Sequence, residues 1–332
     1  MLKLSFIFLF VCLLVINTSA QKEKAIKNAD VDYEELFSEL DDLLDSLAAP
    51  RTMFMINFGI GSGYYNYNSR TVASLSTNKR VIFNPSAAYL HKSGFGVSGG
   101  SSIINGGSGL NAYQFSLSGS YDYLKSSNII TGASFTHFFT KDSLSFYTTP
   151  LENEMYAYIT QKNWWVKPAL SVSYGWGSRS GYREREKLVR SMRLKHAVPI
   201  SRTTKENISD FSLATSVRHD FYWLNVLLKS DFLRLTPQVT FTSGTQNFGF
   251  NQSSTYITNN NRYKGSSVLY NSENVHLDDR LNFQPLSVAA YIKTEFSTGK
   301  FYIQPQVMFD YYFPATENRF SKNFYLNTGI VF

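Results

Sequence analysis

Acid–base or nucleophilic chemistry in this chain would have to draw on five histidines, His91, His137, His196, His219 and His276. His91 ends an alternating segment at a turn, and His196 and His276 fall in loop-like stretches. His219-Asp220 comes nearest to an acid–base pair, yet neighbours in a strand point to opposite faces, so these two cannot share one proton directly. An aromatic-girdle role suits Arg218-His219-Asp220-Phe221-Tyr222-Trp223 better. Asp41-Asp42 and Asp278-Asp279 lack the ligand spacing of a calcium loop, and no glycine loop has the form that cradles phosphate. The sequence therefore predicts no catalytic residue, no metal site and no cofactor.

A second kind of chemistry is electrostatic, and it depends on which elements hold the charges. Four stretches show a period of two. Tyr113, Phe115, Leu117, Tyr121 and Tyr123 alternate with Gln114, Ser116, Ser118, Ser120 and Asp122, and the runs 166–176, 233–242 and 301–311 behave alike. Such alternation makes a strand with one apolar and one polar face. Across the chain the pattern predicts strands at about 52–66, 80–91, 95–105, 110–124, 127–140, 154–162, 164–177, 209–222, 231–243, 284–297, 300–313 and 322–332. The short segment 154–162 is the least patterned, so ten or fourteen strands also fit. These strands are long, carry aromatics at their ends, and place Gly, Ser and Thr on the polar face. That is the pattern of an all-β, transmembrane antiparallel barrel with a lipid side and a lumen side. A soluble β-sandwich shares the composition but not the strand length. Pro85, Pro168, Pro237, Pro285 and Pro305 lie inside these strands, and bulges are the expected accommodation.

On this reading Asp122, Lys167, Arg218, Asp220, Arg234, Lys293, Glu295 and Asp310 face the lumen. Charges of both signs there form either a selectivity constriction or a salt-bridged network that fills and stabilises the barrel. Gly59, Gly61 and Gly63 are expected to relieve crowding in the wall.

The front of the chain fits export. Lys3 precedes the apolar run Leu4 to Ile16, and Thr18-Ser19-Ala20 offers small residues for cleavage, so residues 1–20 read as a signal peptide. Cys12, the only cysteine, would leave with it. Residues 21–50 form a separate acidic arm: eight acids lie between Asp30 and Asp45, and Leu36, Leu40, Leu43, Leu44 and Leu47 recur at helical spacing. Residues 51–332 are the barrel. The chain ends with Phe324, Leu326, Thr328, Ile330 and Phe332 on one face of a strand. With this ending the chain resembles the outer-membrane β-barrel proteins of Gram-negative bacteria, of a Bacteroidota-like type without an assigned activity. The resemblance implies an outer-membrane location with the arm in the periplasm. It also implies that Phe324, Leu326, Ile330 and Phe332 act as an assembly signal read by the barrel-insertion machinery.

The formal charge of +7 conceals the acidic arm and a basic remainder, whose densest run holds Arg179, Arg183, Arg185, Lys187, Arg190, Arg193 and Lys195 against Glu184 and Glu186. Export excludes nucleic acid as their partner, and outer-membrane lipid and lipopolysaccharide phosphates take its place; a solvated charged loop is the plainer alternative. The loop 244–283, rich in Asn, Ser and Tyr, is either a cap or a carbohydrate-contacting surface. Three functions follow in order: passage or binding of a small solute, or a structural surface role; a membrane anchor whose residues 30–47 dock a periplasmic partner; and a lipid-modifying enzyme. Outer-membrane phospholipases of twelve strands use a Ser-His-Asn arrangement, but Thr136-His137-Phe138-Phe139 has no serine two residues after the histidine.

Overall fold

The computed structural model describes residues 51–68, 75–105, 109–126, 128–141, 151–177, 209–228, 231–245, 283–313 and 319–332. The leader 1–20, the arm 21–50, the basic stretch from Arg179 to Lys195 and nearly all of 244–283 lie outside them.

The described chain is built of antiparallel strands: β1 (Met53–Asn68), β2 (Leu75–Leu90), β3 (Phe95–Asn105), β4 (Leu110–Tyr123), β5 (Ile129–Thr140), β6 (Asn153–Gln161), β7 (Lys167–Trp176), β8 (Ser209–Arg218), β9 (Phe221–Leu224), β10 (Asp231–Gly244), β11 (Gln284–Thr298), β12 (Phe301–Tyr312) and β13 (Phe320–Val331). Each strand from β1 to β7 pairs with the next, β10 pairs with both β8 and β11, and β13 returns to β1. The sheet is therefore closed. β8 takes Gln238 to Gly244 of β10 and β9 takes Phe232 to Leu235 along the same edge, so the two are one strand broken at His219-Asp220. Counted as one, they leave twelve positions around the ring.

Proline explains the break. The His219 N–H donates to the Pro237 carbonyl at 3.2 Å, so Pro237 turns its bonding edge toward this strand but has no N–H to return. The β2–β3 ladder likewise skips Asn84 and Pro85, and the β11–β12 ladder skips Gln304 and Pro305. The expected bulges are thus mostly absent. One stands near Pro285, where β10–β11 shifts register between Thr242 and Ser243. Elsewhere a forfeited ladder bond absorbs the missing donor and leaves the register beyond it unchanged, which a wall with one lipid face requires. A second bulge, between Ser102 and Ile103 opposite β4, involves no proline. Residues 67–68 and 75–79, expected within a loop, are strand, since β1 and β2 pair as far as Asn68 and Leu75. Tyr67 and Thr77 favour extended backbone there.

Outward side chains form three bands. Ile56, Leu117, Val217, Val239 and Ile292 are exposed aliphatic residues of the middle band. Exposed aromatics flank it, with Phe54, Phe95, Tyr121, Trp165, Trp223 and Phe332 at the short-turn end and Phe115, Phe139, Phe241, Tyr311, Phe313 and Phe320 at the other. Several are close ring neighbours, as in Phe95–Tyr121, tilted at 4.9 Å, and Tyr311–Phe313, edge-on at 5.6 Å between ring centres. An apolar outer band between two aromatic girdles is stable only in a bilayer, so this barrel spans a membrane. Val239→Arg should lower stability in lipid vesicles by about 2–4 kcal/mol, whereas Val239→Leu should not. Equal urea midpoints for the two variants would overturn the lipid-face assignment.

Candidate functional site

Closure brings the polar faces of all strands into one lumen, and its two walls differ. On β7 to β12 the wall is long and charged. Lys167 Nζ lies 2.8 Å from Asp220 Oδ2, and Thr236 Oγ1 donates to Asp220 Oδ1 at 2.6 Å. Arg234 pairs with Glu295, whose Oε2 also accepts from Gln304 Nε2 at 2.7 Å. Arg218 lies in the field of Asp220, and Lys293 in that of Arg234 and Glu295. Glu295 is 0 % exposed and Arg234 2 %, so these charges are spent on one another and hardly offered to solvent. Lys167, Arg218 and Asp220 lie where the β6–β7 turn and the β8 break approach the short-turn end, while Arg234, Lys293 and Glu295 continue the group onto β10 and β11.

Asp122 and Asp310, also inward, stay outside this group. Asp122 Oδ1 accepts from Tyr158 Oη at 2.7 Å, a contact that crosses Gly132 on the intervening strand. Asp310 is buried on β12 and bonded to Ser287 of the neighbouring strand.

The wall on β1 to β5, of which β3 to β5 lie opposite β10 to β12 in the ring, carries many small residues at mid-height. A cavity of about 70 Å³ lies against it, lined chiefly by Ser86, Ser98, Ser116, Ser118, Ser120 and Ser134, with Asn57, Asn84 and Asn327 beside them. The serines were read from the sequence only as a polar face. What assembles them is register: Ser98 pairs with Ser118 and Ser118 with Thr136, while Ser120 pairs with Ser134.

Glycine and tyrosine form a second feature that alternation alone does not announce. Tyr325 of β13 lies flat over Gly59 and Gly61 of β1, where an added Cβ at Gly61 would fall 2.5 Å from its Cδ2. Tyr302 of β12 crosses Gly329 of β13 to donate to Asn57 of β1. These rings lie along the wall instead of projecting across the lumen. An inward tyrosine on one strand and inward glycines on its partner were the available signal.

Phe324, Leu326 and Ile330 lie on the outward face of β13, and Phe332 follows its last residue. Phe332 exchanges backbone hydrogen bonds with Phe54 at 2.8 and 3.1 Å, and Lys300 Nζ sits 5.5 Å from its ring centre. The three described histidines serve such contacts: His91 Nδ1 meets Ser93 Oγ at 2.7 Å, His137 Nδ1 meets Asn153 Oδ1 at 2.8 Å, and His219 Nδ1 meets the Trp165 carbonyl, while His196 and His276 lie outside the described residues. Among the described residues no group of three or more His, Cys, Asp or Glu could hold a metal ion.

Fold and lumen together define a membrane-spanning antiparallel β-barrel with an apolar outer face and a polar inner one. Solved structures of similar form include the KdgM porin, at 9 % identity over 84 % of this chain and 99 % of that one, with a TM-score of 0.41. The NanC porin stands at 11 % identity, 84 % and 98 % coverage and a TM-score of 0.38. An outer membrane channel from Pseudomonas putida F1 stands at 12 % identity, 86 % and 96 % coverage and 0.39. At these values the likeness extends to the barrel and to nothing more specific. No family model and no curated protein matches the chain.

Proposed function

We propose that the chain is an outer-membrane barrel that passes small polar solutes, with its short-turn end toward the periplasm. The observation that carries this is the asymmetry of the lumen. One wall pairs its charges internally, and the cavity beside the other is lined chiefly by serines with asparagines, which leaves polar space between the strands. Side chains alone fill a barrel of roughly eight strands, and twelve leave more room than that. The glycine-seated tyrosines act in the same direction by keeping large rings against the wall.

The test is conductance of the purified full chain in planar bilayers. Discrete current steps are expected from heat-modifiable, folded barrel, and Ser116→Trp, which puts a large ring into the cavity, should reduce them. A folded barrel that carries no current would overturn the proposal and favour the anchor reading, whose support is the near-complete burial of Arg234 and Glu295. An enzyme ranks below both, because His137 and His219 hold their described contacts with an asparagine side chain and a backbone carbonyl.

A further inference from the structure

The lining of the cavity says which solutes suit it. It contains no Lys, Arg or His, and its one carboxylate, Asp122, already accepts from Tyr158. Ser118 Oγ and Thr136 Oγ1 are 2.7 Å apart and share one hydrogen bond. Ser98, Ser116, Ser120 and Ser134 make no side-chain hydrogen bond among the described residues, and all four are partly exposed on the cavity side. Register fixes their spacing. Cross-strand pairs such as Ser120 and Ser134 hold their Cβ atoms about 4.5–5.5 Å apart. Successive inward positions on one strand, Ser116, Ser118 and Ser120, are about 6.8 Å apart. The result is a grid of hydroxyls, each able to donate once and accept twice.

We infer, building on the passage reading above, that this grid is a binding track for neutral polyhydroxylated solutes such as sugar alcohols and small sugars. A chain of hydroxyls can exchange its water for serines on two or three strands at once, keeping its hydrogen bonds as it moves. An anion entering the same space gives up hydration and meets no cationic side chain in the lining, and a cation meets a single carboxylate, Asp122, whose Oδ1 is already taken by Tyr158. Gly100 and Gly96 hold the track open: a Cβ at Gly100 would sit 3.3 Å from Ser86 Cβ, and one at Gly96 would sit 2.5 Å from Ser120 Oγ.

The test loads proteoliposomes containing the full chain with three solutes of one skeleton: ribitol, the anion ribonate and the cation aminodeoxyribitol. Ribitol should cross at least about fivefold faster than either charged analogue, roughly what the difference of one net hydrogen bond commands. The variant Ser116→Ala/Ser120→Ala/Ser134→Ala removes hydroxyls without narrowing the space, and it should erase that ratio while staying heat-modifiable. A charged analogue crossing as fast as ribitol, or a ratio untouched in the folded triple variant, overturns the inference and leaves passage standing. Absence of flux for all three solutes overturns passage itself and the preference with it.

Discussion

Replacing Gly329 with valine should leave almost no folded barrel, while Gly119→Val should leave the yield unchanged. The two glycines have the same chemistry and opposite surroundings. A Cβ at Gly329 falls 2.6 Å from the Ile56 carbonyl oxygen and 2.7 Å from both Asn57 Oδ1 and Tyr302 Oη. A Cβ at Gly119 meets nothing within 4 Å. At Gly329 the nearest obstacle is the backbone of the partner strand, which cannot turn aside as a side-chain tip can. Relief requires β13 to part from β1, the pairing that joins the last strand to the first. Overpacking of this kind costs about 3 kcal/mol or more. The same step would break the hydrogen bond from Tyr302 to Asn57, which spans three strands across the seam. Heat-modifiable migration after refolding checks the expectation, and a normal yield for Gly329→Val would show that the tyrosine seats are not needed for closure. Gly61→Val gives an internal comparison: its nearest obstacle is the Tyr325 ring, so adding Tyr325→Ala should restore part of the yield.

These seats also mark where sequence reading stops. Alternation sets which face a residue takes, because a strand has a period of two whatever its neighbours do. For that reason the strands, their lipid side and the closed all-β form were legible from residues such as Phe324 to Phe332 alone. Contacts across strands depend on register, which the linear pattern does not contain. Tyr302 and Gly329 are 27 positions apart and became partners only when β12 aligned with β13. Similarly, the sequence showed prolines in strands but not that Pro237 would face the break between β8 and β9. It grouped eight inward charges without showing that Asp122 and Asp310 would stand apart from the rest, each held by a hydroxyl on a nearby strand. The serine grid went unremarked because serine is the ordinary filler of a lumen face, and only the pairing of Ser98, Ser118 and Thr136 in one row gives it form.

The charged wall yields the other large effect. Glu295→Ala should cost about 3–5 kcal/mol, because it strands the Arg234 guanidinium at 2 % exposure with its carboxylate gone. Gln304 loses the acceptor it holds at 2.7 Å in the same step. Arg234→Met alone should cost a similar amount by leaving Glu295 buried without its guanidinium partner. The double variant Arg234→Met/Glu295→Leu is expected to recover most of the loss, since a buried pair replaced by apolar groups of similar size is often neutral or better. Urea unfolding in lipid vesicles measures the cycle. If the double variant is as unstable as the sum of the singles, the two groups act independently and the wall is not held by their pairing. The cycle bears on transport as well. In the wild type the pair keeps its charge from the solute path, so Glu295→Ala, wherever it remains folded, should shift reversal potentials toward anions by freeing Arg234 beside Lys293. The double variant should return the potential to its starting value. A wall that changes ion preference when one partner is removed, and not when both are, is one whose charges were silent because they were paired.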